Sequence, residues 1–199
     1  MKRSVLIGTL VLVLAALVVA PASAAIQIQF GLKAGVSASN VKWSDDDGSE
    51  QMLIQPTFGG FIVVPLGSTL AIQPEVNYIV HGEKWTDDGT ITEKFGYLQV
   101  PVLLRIKLMQ EGKIVPILFA GPAVSFLMSA TESGFGDVKE FFKSTDMGAV
   151  IGVGGIFGQG KTKGLVDLRY VLGFTNNYNF ENDYSMKTAA FVLTGGIIF

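Results

Sequence analysis

Three stretches of this chain carry residue types that could do chemistry. GIFGQGKT, residues 155–162, matches G-x-x-x-x-G-K-[ST], the spacing of a backbone cradle for phosphates. Such a cradle must open a helix, whose N-terminus holds the anion. Here Lys163-Gly164 leads into LVDLRYVLGF, which alternates with the period of a strand. The stretch therefore reads as a glycine-rich turn. Asp45-Asp46-Asp47-Gly48-Ser49-Glu50 gathers hard oxygen ligands suited to calcium, but the EF-hand spacing needs an acidic residue where Trp43 stands. It reads as a solvated acidic loop, with weak bridging of divalent cations to anionic headgroups as the alternative. His81, the single histidine, lies near Tyr78 and Glu83, the types a rim hydrolase would use on lipid or peptide. No serine neighbours it in sequence, so the constellation is incomplete. These readings assign no catalytic residue, no metal ligands and no cofactor.

A fourth set is more informative. Glu75 shares a two-residue period with Gln73 and Asn77, Arg105 and Lys107 share one with Gln99, and Asp167 shares one with Arg169. Val76, Leu104, Ile106, Val166, Leu168 and Tyr170 occupy the alternate positions. If these are strands in lipid, a basic side chain on the lipid face costs about 2–4 kcal/mol at midplane, so the charges must point inward. Glu75, Arg105 and Arg169 each stand about four or five residues from a short connector, which at about 3.3 Å per residue gives them similar heights. The expectation is one interior network of Glu75, Arg105, Asp167 and Arg169, with Lys107, Gln73 and Asn77 on the same faces, plugging the lumen.

The elements that must hold these residues are strands. Ile26, Ile28, Phe30, Leu32, Ala34, Val36 and Ala38 alternate with small or polar residues, and the pattern returns over 52–64, 70–81, 95–108, 114–129, 147–157, 164–174 and 187–199. Connectors alternate between short (65–69, 109–113, 158–163) and long and polar (44–51, 82–94, 130–146, 175–186). An even number of antiparallel strands with that alternation predicts an all-β fold: an eight-stranded antiparallel up-and-down transmembrane β-barrel. Lipid cannot satisfy a free strand edge, so the last segment must pair with the first. Phe199 then ends the closing strand at one rim, and Trp43, Trp85, Phe95 and Tyr97 are expected at the other. Pro56, Pro74, Pro101, Pro116 and Pro122 fall inside strands and predict bulges or misplaced boundaries. In 114–129 and 147–157 both faces are apolar or glycine, and periodicity leaves the lipid side open.

Composition fits this picture. Charged residues make up 16% of the chain and there are 24 glycines in 199 residues, against about 25% charged and about 7% glycine in soluble domains. Met1-Lys2-Arg3, the apolar run Val5 to Ala20 and Ala22-Ser23-Ala24 read as a secretory signal peptide, 1–24, followed by one barrel domain, 25–199. Without Lys2 and Arg3, 13 basic groups face 17 acidic ones, so there is no basic footprint for nucleic acid. There is no cysteine for a lipid anchor or a disulfide.

QPEVNYIVHG, YLQVPVLLRIKL, PILFAGPAVSFLMSA, DMGAVIGVGGIF and LVDLRYVLGFTNN, in this order, resemble the PorT-like small outer-membrane β-barrel proteins over residues 30–199. The resemblance implies an eight-stranded barrel in the outer membrane of a Gram-negative bacterium, in a family whose members mostly lack an assigned activity. It also implies that the terminal aromatic, Phe199, is an assembly signal read by the barrel-assembly machinery. Gln99 stands where that family often has a glutamate. The functional expectation is a non-enzymatic barrel bathed in outer-membrane lipid, whose long loops, above all 130–146 with Phe135, Phe141 and Phe142, contact a protein partner or a ligand. The alternatives are a rim enzyme at His81 and a narrow channel for a small solute.

Overall fold

The structure, a computed structural model, describes residues 27–43, 51–86, 90–158, 160–175 and 186–199. The expected signal peptide and the acidic run 45–50 lie outside the described residues. The strands are β1 (Gln29–Trp43), β2 (Gln51–Pro65), β3 (Leu70–Thr86), β4 (Thr90–Lys107), β5 (Ile114–Glu132), β6 (Gly136–Asp137), β7 (Thr145–Phe157), β8 (Lys163–Gly173) and β9 (Met186–Ile198). β6 is a two-residue piece in the β5–β7 connection, followed by one 3-10 turn, Lys139–Phe141. The other eight form the wall.

Every pairing is antiparallel, and β1 pairs with β9 while β4 pairs with β5, so the sheet returns on itself as the predicted eight-stranded barrel. Ring closure leaves no strand edge in hydrocarbon, where an unpaired N–H or C=O has nothing to bond. The seam extends to the last residue: Phe199 N–H donates to the Phe30 carbonyl at 2.7 Å, and Phe30 N–H donates back at 3.3 Å.

Period-two patterning sorts the side chains. Phe30, Leu32, Val36, Ile54, Leu104, Leu168 and Phe191 are exposed on the outer wall, whereas Lys33, Ser37, Thr57, Glu75, Arg105 and Asp167 are buried inside. The two segments with ambiguous faces resolve here. β5 turns Ile117, Phe119, Ala123, Ser125 and Leu127 inward, and β7 turns Val150 and Ile156 inward while exposing Met147, Ile151 and Val153. Nearest the short turns the lumen is lined by Val63, Ala71, Ile117, Ile156, Leu165 and Ile198, all buried.

Several expectations are corrected. The stretch 82–94 is mostly strand, because β3 and β4 continue as a hairpin with Glu83 opposite Glu93 and Thr86 opposite Thr90. Above the lipid both faces of a strand can be polar, so the alternation that marks a membrane strand disappears although the ladder continues. Phe95 and Tyr97 are not rim residues: β4 starts five residues earlier than Phe95, and both rings are buried in the lumen. The side chains of Trp43 and Trp85 lie outside the described residues. Of the five prolines, Pro56 alone falls in a register shift, between Met52 and Phe58. Register is unchanged across Pro74, Pro101, Pro116 and Pro122. Each residue of a barrel strand bonds toward only one neighbour, so a proline deletes one ladder bond and leaves the register intact.

Candidate functional site

The site is the polar centre of the lumen, built on β1, β3, β4 and β8. Glu75 is its node. Its Oε2 accepts from Lys33 Nζ at 2.6 Å, from Arg169 Nη1 at 2.8 Å and from Asn77 Nδ2 at 2.9 Å, and its Oε1 accepts from Gln73 Nε2 at 2.7 Å. Arg169 also grips Asp167 with two parallel bonds, Nε to Oδ1 at 2.9 Å and Nη2 to Oδ2 at 2.7 Å. That fork geometry is specific to a guanidinium facing a carboxylate. Gln73 relays the network sideways, since its Oε1 accepts from Arg105 Nη1 at 2.8 Å.

Aromatic rings flank the cations. Lys33 Nζ lies 5.7 Å from the Phe61 centroid and Arg169 Cζ lies 4.9 Å from that of Phe119, both within cation–π range. Gly152, directly opposite Arg169 in the ladder, makes room for the Phe119 ring, which a Cβ at that position would strike. A cavity of about 10 Å³ borders Lys33, Asn77, Arg169 and Thr194, and Asn77 Oδ1 and Thr194 Oγ1 have no hydrogen-bond partner. Its size and polarity suit one water molecule.

Of the residues expected in the interior, Glu75, Asp167, Arg169, Gln73 and Asn77 are in direct bonding contact, and Arg105 joins through Gln73. Lys107 does not join; it is half-buried at the end of β4. Gln99 makes only a long 3.5 Å contact to Ser125 Oγ. Sequence reasoning missed Lys33. Its place on the small and polar face of β1, between Gly31 and Gly35, was the signal: a lysine on that face has nowhere to go but the lumen.

The other motifs resolve differently. Gly155 to Phe157 belong to β7 and β8 begins at Lys163, with Gly158 and Gly160 between them at φ +95° and +94°, so a strand and not a helix follows the glycines. His81 is not at the rim. It is buried on the lumen side of the extended β3, with its ring 5.6 Å from that of Tyr97 in an edge contact. Asp146 accepts from the Thr188 hydroxyl at 3.2 Å, and among the described residues no group of three or more acidic or histidine side chains could hold a metal ion.

The β5–β7 connection is held down at both ends. Ser133 N–H donates to the Thr92 carbonyl at 3.0 Å, and Thr92 N–H donates to Ser133 Oγ at 2.7 Å. Lys139 Nζ donates to the Met128 carbonyl at 2.9 Å, and the Phe142 ring meets Phe95 at 4.7 Å, edge to face. Between these anchors Phe135 is 80% exposed, flanked by Gly134 and Gly136 at φ +103° and +85°, values that a side chain other than glycine rarely adopts.

Comparison with known proteins agrees with this geometry. Residues 20–179 match the family model described as outer membrane protein beta-barrel domain. The outer membrane protein OprG from Pseudomonas aeruginosa superposes at a TM-score of 0.54 with 10% identity, over 87% of this chain and 97% of that one. Neisserial surface protein A (NspA) superposes at 0.54 with 12% identity, over 85% of this chain and 95% of that one. Identities this low speak for the fold alone. No curated protein matches the chain. With the family model covering most of its length and a closed wall of eight antiparallel strands, the chain belongs to the outer membrane protein beta-barrel domain family and is a barrel of the outer membrane.

Proposed function

We propose that this protein is a non-enzymatic outer-membrane barrel with a plugged interior, which presents its long loops for contact with a partner or ligand. The observation that carries this reading is the Glu75 node. Four donors from three strands converge on one carboxylate in the lumen centre, above an apolar layer at the turn end. An eight-stranded barrel has an interior just wide enough for side chains to fill, and here charged groups bonded to each other take that space. His81, packed on Tyr97 inside the wall, is poorly placed to meet a lipid substrate at the rim. The anchored loop that holds Phe135 outward supports partner contact as the use of that end.

In this reading the protein is PorT-like, is exported in a Gram-negative bacterium with cleavage after Ala24, and is inserted by the barrel-assembly machinery through β9 and Phe199. Outer-membrane lipid covers the wall, and neither nucleic acid nor a cofactor takes part. Two measurements test it. Reconstitution in planar bilayers is expected to give no discrete conductance; stable single-channel steps would remove the plug and favour the small-solute channel. A photo-crosslinker at Phe135 is expected to capture a cell-surface or extracellular partner. Loss of a lipid-modifying activity in His81→Ala, with assembly intact, would instead establish the rim enzyme.

A further inference from the structure

The inward charges nearest the turn end of the lumen are the cations of Arg105, Lys107 and Lys163. Arg105 is buried, its Nη1 is committed to Gln73, and its Nε has no hydrogen-bond partner. No carboxylate is within salt-bridge distance of it among the described residues, because Glu75 and Asp167 are held by Lys33 and Arg169. Toward the mouth, Lys107 follows Arg105 on the inward face of β4, and Lys163 opens the inward face of β8. The charges acting on Lys107 are Arg105 and Lys163, both positive. Of the other inward side chains at this level Val63, Ala71, Ile117, Ile156, Leu165 and Ile198 are apolar, and Gln29, opposite Val63, is polar and uncharged. In sequence the short connectors add Lys113 and Lys161 against the single acid Glu111.

Three cations in a narrow, apolar-walled mouth repel one another, and the low-dielectric wall focuses their field on the opening. Glu75 and Asp167 attract Arg105 from a distance, but their short contacts are taken by Lys33 and Arg169, so an anion from outside the chain would be drawn to this mouth. We propose that the turn-end mouth is a phosphate-binding site, in which Lys107 and Lys163 clasp the anion over the Arg105 guanidinium. The phosphate belongs either to an anionic phospholipid headgroup of the adjoining leaflet or to a free anion of the periplasm. Exposed Leu66, Leu108, Met109 and Ile114 ring the same end and would receive the acyl chains in the first case. The site rests on the plugged-barrel reading but not on the loops: a barrel whose loops bind nothing still has this mouth.

The test uses the full barrel and the variants Lys107→Gln, Lys163→Gln and their double, with Lys139→Gln at the opposite end as control. Inorganic phosphate is titrated against the protein in phosphatidylcholine nanodiscs, and retention of phosphatidylglycerol from mixed phosphatidylglycerol and phosphatidylcholine vesicles is counted by native mass spectrometry. At about a factor of five per lysine, the double variant should bind about twenty-five-fold more weakly and each single variant about fivefold more weakly, with Lys139→Gln unchanged. Saturable phosphate binding without lipid retention identifies a free anion, and retained phosphatidylglycerol identifies the headgroup. If neither probe is held, or both are held equally by wild type and double variant, the site does not exist. Heat-modifiable gel migration separates loss of the site from loss of the barrel, and bilayer conductance tests the plug independently.

Discussion

Glu75 of β3 and Arg169 of β8 stand 94 positions apart in the chain and meet across the lumen at 2.8 Å. The contact joins opposite walls of the barrel, so it forms only when the ring has closed. Removing one partner of a buried pair costs about 3–5 kcal/mol, because the other charge is left unpaired.

Glu75→Ala should therefore lower the urea midpoint of the folded barrel by a clear margin, and Arg169→Ala likewise. Because the two groups touch, the double variant should lose less than the sum, with a coupling of about 0.5–3 kcal/mol. The Glu75→Ala, Arg105→Ala cycle should couple more weakly, since Gln73 stands between those residues. Equal coupling in both cycles would show that the relay through Gln73 is wrong.

Gly152 is the glycine on which the cation–π contact depends. Gly152→Val places side-chain atoms where the Phe119 ring lies and should destabilise the barrel by about 1–3 kcal/mol, as overpacking does. Phe119→Ala in the same background should recover part of that loss. A Gly152→Val barrel with an unchanged urea midpoint would mean that both the Phe119 ring and the Leu168 carbonyl can give way.

Deleting Phe199 removes the last pair of the β1–β9 seam as well as an exposed rim aromatic. Assembled barrel in the outer membrane, read as the heat-modifiable band, should fall severalfold while total protein accumulates in unfolded form. Normal levels of the assembled form would show that neither the final ladder pair nor the terminal ring matters to insertion.

Chymotrypsin added to intact cells should cleave after Phe135, whose turn stands clear of the wall, and should spare the connector 109–113. Phe135→Ala should remove that fragment and leave the barrel otherwise unchanged. Fragments ending at Met109 in intact cells would invert the orientation of the protein in its membrane.

What the sequence determined by itself is the wall. Period two is a local property: each strand shows which of its faces is apolar without reference to any other, as Phe30, Leu32, Ala34 and Val36 do in β1. Eight such stretches in lipid have no stable arrangement but a ring, so closure and strand order were legible as well. The inward direction of Glu75, Arg105 and Arg169 was legible too, because a charge facing lipid is expensive. Which charges meet was decided by the tertiary structure, since cross-lumen distance depends on the tilt and stagger of strands far apart in the chain. That is why Lys33 bonds Glu75 while Lys107, on the same face as Arg105, stays at the mouth. Strand length beyond the lipid was equally hidden, because in water both faces of the β3–β4 hairpin can be polar. The lumen places of Phe95, Tyr97 and His81 became visible only once the ladder from Thr86 to Thr90 was formed.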